Sequence, residues 1–414
     1  MPNTILTIDM ITREAVRLFR NTNAFIQALN HQYDSSFAVD GAKIGDTLRI
    51  RLPNDYTVRT GAAASVQSTT EQSTTLTLAT QKGVDVSFST AERTLELDDY
   101  SERVMAPMIN VLGGAVAMDV MSGVEGGVCN IVANQDGANT IINPAARTYL
   151  NAGAALASNS APMMNRQVVN NQFTEAAVVS TLSGLLNPSE MLSRQYQYGK
   201  MYTALGFDWL MDQTVLVHTN GTFSAGGTVN GASQTGTTLT VNATTGTFEE
   251  GDIITISGVN AVNRVTKAST GQLRQFVITA DAASGATSLS IYPAIVAGGG
   301  SYDPLTGDGS AQYQTVTASP ANGATVAFAL SLAASAQYRK NIAFSPEAIT
   351  MATADLVMPT KGVEESARDM FDSIAMRMIT QYAIGTDQLI TRLDVLYGYL
   401  FIRPEWAVVV ADSL

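Results

Sequence analysis

The sequence predicts an α+β fold in which a mixed host domain is interrupted by an inserted small β-barrel or sandwich. Three observations predict it. Composition changes at about residue 222: the 115 residues from Thr222 to Ala336 hold only nine charges and 15 glycines. Helical and strand periodicities alternate on both sides of that block. The stretch after it, 337–414, is about 78 residues, thin for a core of its own, so it reads as a return to the host.

Composition narrows the function before any motif does. Charged residues make up 14% of the 414 residues, against roughly 25% in ordinary soluble domains. Surface must therefore be covered by Thr, Ser, Asn, Gln and Gly, or be buried against other chains. The 36 acidic and 24 basic residues leave a formal charge of -12. That excludes a general nucleic-acid binder, which needs a basic face to release counterions. One cysteine, Cys129, excludes an internal disulfide and a Cys-rich zinc site. Two histidines, His31 and His218, leave little for metal or acid–base chemistry. The first residues lack the basic-then-apolar pattern of a secretory signal. No uninterrupted run of about 18 apolar residues occurs. Both point to a cytoplasm-like compartment and no membrane partner.

Residues 7–30 predict an amphipathic helix, with Ile11, Ala15, Leu18, Phe25 and Leu29 on one face. Arg13, Arg17 and Arg20 share another, a basic stripe on an acidic chain. It reads either as a solvated face or as an arm that docks on an acidic partner or a neighbouring subunit. Residues 41–89 predict a long β-ribbon. Leu48, Ile50 and Leu52 alternate with polar residues, as do Leu76 and Leu78, then Val84, Val86 and Phe88. Its tip, 61–73, lacks large apolar side chains, and an isolated hairpin is marginal in water. The ribbon is therefore expected to project and find contacts on another subunit.

Residues 98–126 predict the longest helix, capped by Asp98 or Asp99. Val104, Met108, Val111, Leu112, Ala115 and Met118 form its apolar stripe. Pro107 predicts a kink, and Gly126-Gly127 ends it. From 143 to 211 helices and short strands alternate. A helix opens at Asn143-Pro144, a strand covers Gln167 to Asn171, and Thr174-Glu175 caps a helix to Leu186. Pro188 opens another helix, and Gly206 to Leu210 is a strand.

Within the β block, apolar alternations at Leu239 and Val241, Ile253 to Ile256, Phe276 to Ile278 and Leu289 to Tyr292 are separated by Gly-containing turns. Strands at that spacing predict a barrel or sandwich. Beyond it, Phe344 to Ala348 is expected to lead into a helix. Ala407 to Ala411 is nearly continuous apolar sequence, as in a strand buried on both faces.

No enzyme signature accompanies these elements. There is no phosphate-binding glycine loop, no dinucleotide fingerprint and no nucleophile elbow. His31 and His218 read as structural. Cys129 has no predicted base beside it and reads as a small buried hydrophobe. Glu249, Glu250 and Asp252 share one predicted turn, and Asp303 and Asp308 another. Neither group has calcium-loop spacing, and both are read as solvated. No catalytic residue, cofactor or metal is expected.

The series of arm helix, long ribbon, long helix, αβ core, β insertion and return resembles the P22-like coat proteins of tailed bacteriophages, whose fold is the HK97 capsid fold. Its most specific pieces are Ala243-Thr244-Thr245-Gly246-Thr247-Phe248-Glu249-Glu250-Gly251-Asp252-Ile253-Ile254 with Ser257-Gly258-Val259, which is similar to the first hairpin of that family's inserted domain. Ala204 to Trp209, Tyr397-Gly398 and Arg403-Pro404-Glu405 also look like family sequence. The resemblance implies an N-terminal arm (1–36), an extended loop (37–90), a spine helix with its lead-in (91–127), an αβ core of peripheral and axial domains (128–221 and 337–414) and an inserted β-barrel (222–336). It implies a structural protein whose copies form the hexamers and pentamers of an icosahedral procapsid around a scaffolding protein. That shell expands as DNA is packaged through a portal, in the bacterial host cytoplasm. Arg13, Arg17 and Arg20 then become candidates for scaffold or subunit contacts, and a decoration protein is a possible further partner. An acidic shell would hold DNA without gripping it. A bacterial nanocompartment shell protein of the same fold and a glycan-binding adhesin are the alternatives.

Overall fold

The computed structural model describes residues 15, 24–32, 47–56, 58, 61–63, 73–89, 106–182, 201–298, 311–359, 361–371 and 374–414. Most of the arm helix, with Arg13, Arg17 and Arg20, lies outside them. So do most of the ribbon tip, Asp98 and Asp99, the helix expected from Pro188, and Asp303 and Asp308. The chain divides into two compact units, each built from separate segments. One comprises 1–50, 73–120 and 349–402; the other comprises 51–72, 121–348 and 403–414.

In the first unit, strands Thr47–Arg51 and Ser73–Thr77 pair with each other, as the ribbon expectation requires. The third ribbon segment does something else. Thr80–Ser89 runs antiparallel to the long strand Gln388–Phe401, in register from Thr80 opposite Tyr397 to Ser89 opposite Gln388. Its alternation marks a strand but carries no information about a partner 300 residues away. Gln388–Phe401 also pairs with Ile374–Ala383 and Ile349–Ala354, and Glu365–Phe371 completes the sheet. Ile50, Leu76, Leu78, Ala352 and Ala354 form a buried cluster where the hairpin meets these strands. Asn30, after the short helix Ala24–Ala28, exchanges backbone hydrogen bonds with Ile349 and Met351.

The long helix runs Ala106–Gly127 and ends at the expected double glycine. Its buried side is Met108, Leu112, Val116, Val120 and Val124, spaced by four, with Ile109, Ala117 and Met121 alongside. Val111 and Met118, expected in the stripe, are exposed instead. The side that keeps Val111 and Met118 also carries Asn110 and Ser122, and packing buries the opposite, uninterrupted apolar row. The helix is long and apolar enough to cross a membrane by composition, but this packed row marks it as a core helix.

The second unit is built on a mixed sheet of eight strands. Ala407–Asp412 sits inside it, parallel to Ile131–Gln135 on one side and antiparallel to Gln337–Phe344 on the other. All six of its residues are buried, as the unbroken apolar run predicts. Gln167–Asn170 pairs with Gln337–Phe344 and with Phe207–Met211. Ile141–Ile142 and Thr203–Ala204 extend the two ends, and Val217–Thr219 joins the other end of Gln337–Phe344. The expected helix after Phe344 is absent: a single 3-10 turn, Pro346–Ala348, leads straight into the strand Ile349–Ala354. Its side chains are buried on both faces, which favours a sheet interior over a helix.

Helix Ala146–Ser158 covers this sheet with Tyr149, Ala152 and Leu156 against Val168, Trp209, Ala343, Val408 and Val410. Each large side chain buried this way contributes about 1.5–3 kcal/mol. Helix Gln172–Leu182 begins two residues before the expected cap. Asn171 caps it, its side-chain oxygen accepting the Phe173 N–H at 3.0 Å. Thr174 lies inside the helix and donates to the buried Asp412 carboxylate.

Residues 236–328 form a five-stranded antiparallel sheet. In spatial order the strands are Gly236–Thr240, Ser288–Ile295, Ser269–Ile278, Ile253–Val262 and Val326–Phe328. The segment 228–230 bridges its two edges. Asn230 N–H donates to Thr240 and Asn242 N–H to Thr228, while Val229 N–H donates to Ala324 and Gly323 N–H to Val229. The alternating segments around Leu239 and Leu289 are neighbours here, with Leu239 opposite Leu289. Phe223, Phe248 and Phe328 pack together in the interior, Phe223 stacked on Phe248 at 4.4 Å between ring centres.

Candidate functional site

The densest chemistry among the described residues is a cluster of four ionisable side chains, three of them buried and Glu125 half-buried, all in the second unit. Glu125 comes from the last turn of the long helix and His218 from strand Val217–Thr219. Asp252 closes the turn before Ile253, and Lys340 comes from Gln337–Phe344. His218 Nε2 lies 2.9 Å from Asp252 Oδ1, and its Nδ1 3.4 Å from Glu125 Oε1. Asp252, fully buried, also accepts the N–H groups of Gly221 and Glu249. Lys340, 1% exposed, donates to the Gly251 carbonyl at 3.0 Å.

Two glycines make room for this arrangement. Gly251 has φ +91°, and an added Cβ would stand 2.7 Å from Lys340 Nζ. At Gly221 an added Cβ would stand 2.2 Å from the Thr247 carbonyl.

The environment shifts the charges in opposite senses. The His218 hydrogen bond holds the Glu125 carboxyl below its ordinary value despite burial, with help from the Lys340 charge. Burial pushes the Lys340 amine down to about 8, against the pull of Glu125 and Asp252. The unfolded chain keeps that proton to about pH 10.4. Between those values the unfolded state binds more protons, so this residue makes stability rise with pH. Relative to Lys340→Met, the parent protein should gain about 2–3 kcal/mol between pH 7 and pH 10. Urea titrations of both across that range measure it; parallel stability curves would contradict it.

This cluster corrects the sequence reading of the 249–252 turn. Glu250 is exposed and Glu249 half-buried, but Asp252 is sealed inside. His218, read as structural, is buried with two carboxylate partners. Lys340 was missed. Its signal lay in the alternation Tyr338, Lys340, Ile342, Phe344, which puts a lysine on an otherwise buried apolar face. Cys129 is fully buried, and that burial raises its thiol pKa. Arg274 lies 3.8 Å from the sulfur and also reaches Asn159. His31 bonds the Ile26 carbonyl at the end of its helix. Arg264, following Ile253–Val262, pairs with Asp55 at 3.1 Å and with Glu405.

Chemically, the cluster is a tie. Its carboxylates are already occupied by donors, and among the described residues no group of three or more His, Cys, Asp or Glu is placed to hold a metal ion. It joins a helix end, two strands of the eight-stranded sheet and the turn entering the five-stranded sheet.

The chain matches the family model described as P22 coat protein, gene protein 5, over residues 111–410. No curated protein matches it. Among solved structures, a chain of Mycobacterium phage Che8 is similar at 11% identity and a TM-score of 0.48, over 94% of this chain and 90% of that one. A chain of the bacteriophage PhiM1 mature capsid is similar at 9% identity and 0.40, over 89% and 82%. The CUS-3 coat protein I-domain is similar at 28% identity and 0.18, over 25% of this chain and 95% of that one.

Proposed function

The chain belongs to the P22 coat protein family, and from that membership we propose how it works as the major capsid protein of a tailed phage. The carrying observation is the extent of the match, from the long helix to the terminal buried strand. The fold is the α+β capsid fold of that family, the protein is a virion component, and its copies self-assemble into a shell.

The shell closes as hexamers and pentamers around a scaffolding protein in the host cytoplasm, takes up DNA through a portal, and performs no catalysis. The elements divide this work. Residues 222–336 act as an inserted β-barrel, supported by the five-stranded sheet and its bridging segment. The 1–36 arm carries Arg13, Arg17 and Arg20 as scaffold or subunit contacts, supported by their sequence spacings of four and three on an acidic chain. The hairpin of Thr47–Arg51 and Ser73–Thr77 projects toward a neighbour, its tip having little to bury on its own chain. The acidic wall repels DNA phosphate and leaves the packaged genome free to slide.

Co-expression with a candidate scaffolding protein, followed by sedimentation and electron microscopy, tests this. Closed megadalton particles are expected. The Arg13→Glu, Arg17→Glu, Arg20→Glu triple variant should cut particle yield at least tenfold. A chain that stays monomeric in every assembly condition contradicts the shell, and a normal yield from the triple variant removes the arm's role.

A further inference from the structure

We propose that the outward face of helix Ala146–Ser158 and the Met163-Met164 tip that follows it form a contact surface for a second copy of this chain. The proposal rests on the shell-forming reading and specifies a surface that serves it.

The first observation is exposure that the subunit cannot relieve. Met163 and Met164 are each 78% exposed and Leu150 is 54% exposed. The opposite side of the helix is locked: Tyr149, Ala152 and Leu156 are buried in the core, with Tyr149 against Trp209 at 4.4 Å between ring centres. The helix therefore cannot roll to hide Leu150. The exposed side continues through Ala154 and Ala157, small residues that let another surface approach closely.

The second observation is that the tip is held rigid by a buried arginine. Arg166, 6% exposed, donates from Nε to the Pro162 carbonyl at 2.7 Å, from Nη1 to Gly153 at 3.0 Å and from Nη2 to Ala161 at 3.0 Å. Asn165 takes the left-handed conformation, φ 56°, that turns the chain back toward the strand. One guanidinium thus clamps a turn whose outward side chains are the two methionines and Asn165. An exposed apolar tip fixed in one shape loses little conformational entropy on binding, which is what a docking element needs. Methionine adapts its shape to the surface it meets.

The third observation selects the occupant. Each copy carries a formal charge of -12, so copies repel wherever their charged surfaces face. Between Arg147 and Arg166 the chain has no charged residue. This stretch lets two acidic copies approach, and it buries apolar area when they do.

A single introduced thiol tests the surface, because the native Cys129 is fully buried and unreactive. Met163→Cys is placed in the full chain, and maleimide labelling is compared in dissociated subunits and in closed shells. Labelling at least tenfold slower in shells is expected, with dimer bands on adding a short bismaleimide. The Met163→Asp, Met164→Asp double variant should keep the parent's unfolding midpoint and need at least tenfold more protein to assemble. Shells whose introduced thiol reacts as fast as in free subunits, without dimer bands, overturn the surface alone. Absence of shells from the unmodified chain removes the coat reading and this surface with it.

Discussion

Asp252→Ala is expected to destabilise the protein by about 3–5 kcal/mol, the cost of removing a buried carboxylate from the donors packed around it. The carboxylate is fully buried and accepts from His218 and from the N–H groups of Gly221 and Glu249. Alanine leaves those donors without an acceptor, and Lys340 loses a neighbouring negative charge. Replacing charge and shape together is what makes the loss large, and Asp252→Asn separates the two. The amide keeps one acceptor oxygen and the side-chain volume, so it should recover about half of the loss. Urea unfolding followed by far-UV circular dichroism measures both. A loss below about 1 kcal/mol for the alanine variant would show that the cluster is not a tie. The loss should also appear in assembly, because a subunit that opens at this junction presents the wrong surfaces to its neighbours.

Phe248→Ala is the second large effect, at about 3–5 kcal/mol. Phe248 is fully buried and stacks on Phe223, and both rings meet Phe328 edge-on. The residue is also fixed by its backbone, which exchanges hydrogen bonds with Ala282 at 2.9 and 2.8 Å. The neighbouring carbonyl of Thr247 accepts the Phe223 N–H, so the ring stack and the backbone tie hold the same two segments. Those backbone bonds keep the cavity from collapsing, which places the cost at the upper part of the range. Phe248→Leu fills most of the volume and should cost about 1–2 kcal/mol. Thermal unfolding of the two variants compares them directly. Equal losses would mean that the aromatic packing itself, and not the volume filled, holds this interior.

The readings that held were local ones. Leu239, Ile253 to Ile256, Phe276 to Ile278 and Leu289 each fall in a strand, because period-two alternation between Gly turns is a property of a few adjacent residues. The run Ala407 to Ala411 predicted its own burial for the same reason. The reading failed where partners were distant. Val84 and Val86 mark a strand, yet nothing near them names Leu393 and Thr391 as the residues opposite. Val111 and Met118 are as apolar as Leu112, and only the surrounding packing decided which of them face water.

The candidate residues divide in the same way. Cys129 beside a double glycine, without a base, read correctly as buried. Asp252 in Glu249-Glu250-Gly251-Asp252 looked like one more solvated turn acid, because turn chemistry says where a chain reverses and not what packs over it.

The sequence by itself determined the class of protein. The order of elements and the segments that resemble the P22-like coat proteins carry that conclusion, and the family match over residues 111–410 bears it out, while charge and composition only narrowed the field. Tertiary structure alone decided that Glu125, His218, Asp252 and Lys340 meet, and that Arg166 clamps the Met163-Met164 turn. Those contacts join residues from separate elements, and their energies exist only once folding has removed the water between them.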